Sequence, residues 1–133
     1  MIKTDILIIG AGPTGLFAVF EAGLLKMKCH ILDSLTQPGG QLTELYPKKP
    51  IYDIPGYPEI IAGDLIENLL EQIKPFSPSY TLGETAEGIE KIDDGSFIVS
   101  TDRKLDKCKC HSYSWRPWIF TPRKPNISIY LIL

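Results

Sequence analysis

Two periodicities alternate along the first third of the chain. Residues 5–9 (DILII) form a short, almost wholly apolar run dominated by isoleucine, the pattern of a strand covered on both faces of a parallel sheet. After GAGPTG the period changes. Leu16, Val19, Phe20 and Leu24 recur at helical spacing and predict one buried stripe. A second apolar run, Cys29–Leu32, closes on Asp33. The order strand, glycine turn, helix, strand predicts the first βαβ unit of a Rossmann-type α/β fold with a parallel sheet.

Beyond Asp33 the period vanishes. SLTQPGGQLTELYPKKPIYDIPGYPEI is rich in Gly, Pro and Tyr and predicts an ordered loop instead of a helix. A loop this long in a compact domain is usually functional. Helical spacing returns in LIENLLEQIKPF, with Leu65, Leu69 and Ile73 as the buried stripe, Asp64 as the cap, and Pro75 and Pro78 ending the helix. EGIEKI and SFIVST flank DDG and predict a β-hairpin, with Asp93 and Asp94 as turn residues.

The chemistry concentrates at the first turn. Gly10, Gly12 and Gly15 have G-x-G-x-x-G spacing between a strand and a helix. Gly10 permits the tight turn, Gly12 lets a pyrophosphate approach the backbone, and Gly15 lets the helix pack closely on the strand. Pro13 falls in the first helical turn, where its missing N–H costs nothing. Asp33 ends the second strand at about the 20-residue offset at which a carboxylate holds an adenosine ribose. This is the pattern of a dinucleotide site; the bland alternative is a structural glycine turn with a surface aspartate. Asp33 does not separate FAD from NAD, since both carry a ribose there.

Composition narrows the remaining classes. At 133 residues the chain is the size of one domain, with 44% hydrophobic and 23% charged residues and no apolar run long enough to span a bilayer. ILIIGAGPTGLFAVF lacks the cleavage pattern of a leader and reads as mature structure. A net charge of −2 argues against nucleic acid and against an anionic membrane surface. Three irregularly spaced cysteines do not make a disulfide framework, and a reducing cytoplasm is expected.

Taken together, DILIIGAGPTGLFAVFEAGL, ILDS and QPGGQLTELYPKKPIYDIPGYPEI resemble the ferredoxin–NADP reductases of the thioredoxin reductase-like type, over about residues 1–102. The resemblance implies a flavoprotein, usually a homodimer, with an FAD domain and an inserted NADPH domain. It implies that Gly10, Gly12, Pro13, Thr14 and Gly15 form the phosphate turn and that Asp33 takes the adenosine ribose. Gln41 and Tyr46 would lie along the flavin half, Ala86 on the adenine side, and Phe120 would match the aromatic of F-x-P-R. For Tyr46 and Phe120, packing is the alternative. In the family NADPH is the hydride donor and ferredoxin or a similar carrier takes the electrons; no catalytic side chain is assigned.

CKCHSYSWRPWIF, residues 108–120, does not fit this frame. Zinc held by Cys108, Cys110 and His111, with His30, lacks the C-x₂₋₄-C spacing of structural sites. The resemblance calls for a buried strand and a glycine turn here. Dropping one base from the codons of Cys110–Ile119 admits Ala-Ile-Leu-Ile-Ala-Gly-Gly-Leu-Gly-Phe, so an out-of-frame stretch is expected, to be checked by resequencing the coding DNA. The expected organisation is an FAD-binding portion at 1–107 and an aberrant or truncated segment at 108–133, with no NADPH-binding domain and no turnover by this chain alone. Two other readings remain: a non-catalytic dinucleotide-binding module acting with a partner chain, and a small zinc-binding protein.

Overall fold

The computed structural model describes residues 2–103, with 107–110 and 112–115 as backbone. The elements run β1 (Ile2–Lys3), β2 (Ile6–Ile9), α1 (Pro13–Leu24), β3 (Cys29–Asp33), α2 (Gln41–Glu44), β4 (Pro50–Ile51), β5 (Ile60–Ile61), α3 (Ala62–Ile73), a 3-10 turn (Lys74–Phe76), β6 (Ser79–Leu82), β7 (Ala86–Lys91), β8 (Phe97–Thr101), β9 (Lys107–Cys110) and β10 (Ser112–Trp115). One sheet is wholly parallel, in the order β10-β2-β3-β6. A second sheet, β1-β9-β8-β7, contains the expected hairpin of β7 and β8. The architecture is α/β and Rossmann-type, with a β-hairpin sheet on one side.

Both faces of the parallel sheet are covered, which explains why β2 and β3 show no polar alternation. Ile8 and Ile31 point to one face, where they pack with Leu16 and Val19 of α1 and Ile66 and Ile73 of α3. Leu7 and Leu32 point to the other and meet Val99 of β8. His30 also lies in β3, buried, its ring nitrogens 2.7 and 2.9 Å from the hydroxyls of Ser79 and Thr81 on the neighbouring β6. Those hydroxyls occupy the ring edge that the zinc reading reserved for a metal.

Several local expectations shift. Leu24 is not on the buried stripe of α1; it is 58% exposed. Counting in threes and fours from Leu16 and Val19 reaches Gly23 instead, and there the ring of Phe76 fills the space, a Cβ on Gly23 falling 2.3 Å from it. Helix α3 starts two residues before Asp64, because its first N–H groups already have acceptors. Ala62 donates to the Lys49 carbonyl and Gly63 to that of Pro47, each at 2.9 Å. Asp64 therefore sits inside the first turn, where its charge complements the helix dipole. The 34–60 stretch that read as loop holds one helical turn, α2, and a two-residue strand, β4, which pairs with β5 at its end.

The segment expected to lack a strand contains one. Ser112–Trp115 pairs in parallel with Ile6–Ile9, and Lys107–Cys110 pairs with both β1 and β8. Backbone hydrogen bonding asks for extended chain, and Tyr, Ser and Trp allow it; in this sequence Tyr113 and Trp115 also recur at period two. The boundary expected after residue 107 falls within β9. His111, Arg116 and Pro117, together with Phe120, lie outside the described residues.

Candidate functional site

Strand β2 ends at Ile9, and the chain turns at Gly10 with φ +111°, a backbone open to glycine at little cost. Gly12 caps α1 in an extended conformation, and Pro13 follows at the start of the helix, as the sequence predicted. The two remaining glycines differ in what surrounds them. A Cβ on Gly15 would lie 2.0 Å from the Gly10 carbonyl oxygen, so helix and turn are in direct contact there. A Cβ on Gly12 would meet no protein atom within 4 Å. The space beside Gly12 is open cleft.

That cleft has a volume of about 300 Å³ and brings together Gly10, Gly12, Pro13, Thr14 and Gly15 with Gln41 of α2. Five of the six were singled out as a phosphate turn, and Gln41 as a neighbour of the same ligand. The first turn of α1 carries no acidic residue and no side-chain cap, leaving its N–H groups and positive dipole end facing the cleft.

Asp33 closes one side of the turn. It is buried, not a surface residue, with 8% of its area exposed. One carboxylate oxygen accepts the Ala11 N–H at 2.5 Å and the other the Leu35 N–H at 2.8 Å. The Ala11 carbonyl in turn accepts the Gly39 N–H at 2.8 Å. Ala11 is thus clamped from both sides, by the end of β3 and by the second glycine pair. Gly39 and Gly40 adopt φ +117° and +61°, and a Cβ on Gly40 would fall 3.2 Å from the Gly12 Cα. The PGG loop and the GAG turn pack backbone against backbone.

Tyr46 and Ala86 lie outside the cleft lining. Tyr46 is 41% exposed at the end of the α2 segment, with the Lys49 ammonium 5.3 Å from its ring centre. Its position is held by α3, whose N-terminus hydrogen-bonds to the carbonyls of Pro47 and Lys49. Ala86 opens β7 opposite Thr101 and packs against the Leu7–Leu32–Val99 cluster. Two hydrogen bonds bring the start of that hairpin to the end of β3: Glu84 donates its N–H to the Asp33 carbonyl and Gly83 to that of Leu35.

Comparison with known proteins decides the relationship. The chain is 76% identical over 131 residues to ferredoxin–NADP reductase 1 of Christiangramia forsetii, a match covering 96% of this chain and 36% of the relative. It is 68% identical over 127 residues to the ferredoxin–NADP reductase of Flavobacterium psychrophilum, covering 94% and 36%. The chain is a homologue of part of the ferredoxin–NADP reductases. It spans about a third of the length of those relatives, and the likeness reaches past the 102 residues whose motifs carried the resemblance. The fold matches the crystal structure of thioredoxin reductase from Streptococcus pyogenes with a TM-score of 0.70 at 24% identity, over 84% of this chain and 34% of that one. No family model matches.

Besides Ile8, Ile9, Gly40 and Leu42, which adjoin the predicted turn and Gln41, four more residues of this reductase homologue line the cleft without having been singled out as site residues: Ile51, Asp53, Ile54 and Leu65. The first three stand in PIYDIPG, inside a stretch that read as loop. Its Gly and Pro content signalled order and function but not which side chains turn inward. Among the described residues no helix is long and apolar enough to cross a membrane, and no three His, Cys, Asp or Glu side chains converge as metal ligands.

Proposed function

We propose that residues 1–107 hold FAD as part of a ferredoxin–NADP reductase. The observation that carries this reading is the cleft beside Gly12. It has backbone N–H groups of the first helical turn, space where any other residue would place a Cβ, and a lining that includes Gln41, Leu42 and Ile51. The residues fit an adenine dinucleotide. The glycine turn would hold the pyrophosphate, Asp33 the adenosine ribose, and Ala86 the adenine side. Gln41, Tyr46 and Phe120 would lie along the flavin half.

When bound, the flavin supplies hydride acceptance and one-electron release. The chain's own contribution is to bind, orient and shield. In the whole reductase the hydride donor is NADPH and the electron acceptor is ferredoxin or a similar carrier, and the working form is a cytoplasmic homodimer. The names of the close relatives support the nicotinamide and ferredoxin parts of this reading. The chain spans about a third of those relatives, and on this reading the 133 residues alone bind cofactor without turning over.

The test is a titration of the purified 133-residue chain with FAD, followed by quenching of flavin fluorescence. Saturable binding at one FAD per chain is expected, with no NADPH oxidation by the complex. A chain that ignores FAD but retains a nicotinamide dinucleotide would favour the non-catalytic module. Steady-state NADPH oxidation would contradict the statement about turnover.

A further inference from the structure

Large apolar side chains surface between α2 and β5, where Leu45, Tyr46, Tyr52 and Tyr57 are all exposed. Within this group stand Lys48 and Lys49, exposed as well. From Leu45 to Tyr52 the chain reads LYPKKPIY, two cations and no acid in a protein whose net charge is −2. The flanking acids turn elsewhere: Glu44 meets the Gln37 amide at 3.5 Å, and Asp53 lines the cleft. Among the described residues neither lysine forms an ion pair.

The backbone beneath these side chains is tied down on both sides. Lys49 donates its N–H to the Tyr46 carbonyl at 3.0 Å, and the Pro47 and Lys49 carbonyls accept from the start of α3. Pro50 and Ile51 pair with Ile61 and Ile60. A loop held this way leaves little ordering entropy to be lost on association. Aromatic anchors around unpaired cations suit a protein partner, the rings making contact and the charges steering it in. Two free cations select an acidic surface. The loop also runs directly into Ile51, which lines the cleft, so a partner seated on it adjoins the ligand held there. We infer that Leu45–Tyr52 is the docking surface for an acidic electron-carrier protein. The partner's trade rests on the reductase reading above, whereas the sign of its charge comes from the loop itself.

The experiment follows binding of an acidic iron–sulfur ferredoxin to the 133-residue chain by surface plasmon resonance, with and without FAD. It is run at about 0.01 M and about 1 M salt, between which the screening length falls from about 30 to about 3 Å. At low salt, Lys48→Glu with Lys49→Glu should slow association about tenfold, and the difference should vanish at high salt. Lys26→Glu with Lys28→Glu makes the same change of charge beyond the far end of α1 and should stay within about twofold of wild type. Tyr52→Ser, at a side chain 65% exposed, should speed dissociation without moving Tm. Lys48→Glu alone keeps Lys49 over the Tyr46 ring and should bind FAD as wild type does. Equal low-salt rates for wild type and the Lys48–Lys49 variant overturn the proposal, as does an equal loss in the Lys26–Lys28 control. A wild-type chain that binds no ferredoxin overturns it too. So does a wild-type dimer in sedimentation that Tyr52→Ser dissociates, since the loop would then join two copies of this chain. Failure to take up FAD refutes the cofactor reading alone, and the rates on the ligand-free chain still decide the docking surface.

Discussion

Replacing Asp33 by Ala separates two jobs that the carboxylate performs. An aspartate that only met a ribose would leave the ligand-free protein untouched when removed. Here both oxygens are engaged within the protein, by the N–H groups of Ala11 and Leu35. A hydrogen bond to a charged group contributes about 1.5–3 kcal/mol, and a buried donor left unpaired costs about 1–3 kcal/mol. Ala11 is fully buried, so water cannot replace the lost acceptor there. Relief from burying a carboxylate offsets part of the sum. The expected loss is about 2–4 kcal/mol for Asp33→Ala and roughly half that for Asp33→Asn, which keeps one acceptor oxygen. Urea unfolding of the ligand-free chain, followed by far-ultraviolet circular dichroism, measures it. An Asp33→Ala midpoint indistinguishable from wild type, with an unchanged slope, would refute the clamp and leave Asp33 a ligand contact alone.

The glycines give a paired test: Gly12→Ala should leave ligand-free stability within about 1 kcal/mol, yet weaken FAD by tenfold or more, its methyl entering open cleft. Gly15→Ala should instead destabilise the ligand-free fold by about 1–3 kcal/mol or more, since its methyl meets the Gly10 carbonyl; urea melts of the two variants reversed in order would defeat this account. Gly23→Ala should cost about 1–3 kcal/mol by driving into the Phe76 ring, and adding Phe76→Ala should recover part of that cost. Burial, and secondarily the charge of Asp5, raise the Cys29 thiol above its ordinary 9.0. The stability this neutral thiol contributes is complete below that value and lost as pH rises through the higher folded one. Melting temperature should accordingly fall more steeply above pH 9 in wild type than in Cys29→Ala, and parallel curves to pH 11 would contradict it.

The elements with a strict period were legible in the sequence. DILII, the Leu16–Val19 stripe and CHIL became β2, α1 and β3, and the hairpin around DDG formed with Gly95 at φ +82°. The five turn residues also line one cleft together, because they are neighbours along a single strand-to-helix turn. What escaped was contact between segments far apart in sequence. Asp64 looked like a cap only because the carbonyls of Pro47 and Lys49 cannot be seen from the residues around it. Strand β6 follows two prolines and has exposed residues at Ser79 and Tyr80, so it carried no burial pattern to read. Asp53 looked like any loop acid until the fold turned it into the cleft.

The last crossing between the two sheets among the described residues joins β9, ending at Cys110, to β10, starting at Ser112. These two strands pair Ile2 with Cys108 and Ile6 with Ser112. The earliest strands to leave the ribosome are thus completed by partners made more than a hundred residues later. Pairing across such separations is slow, because a long loop must close before any contact rewards it. Until then β1 and one edge of β2 stand bare, and a bare apolar edge recruits other chains. Yield in a cell should therefore depend on chaperone supply and growth temperature, and a charge introduced within Ser112–Trp115 should lower it. For this protein the vulnerable moment is the interval during synthesis before the seam is sewn.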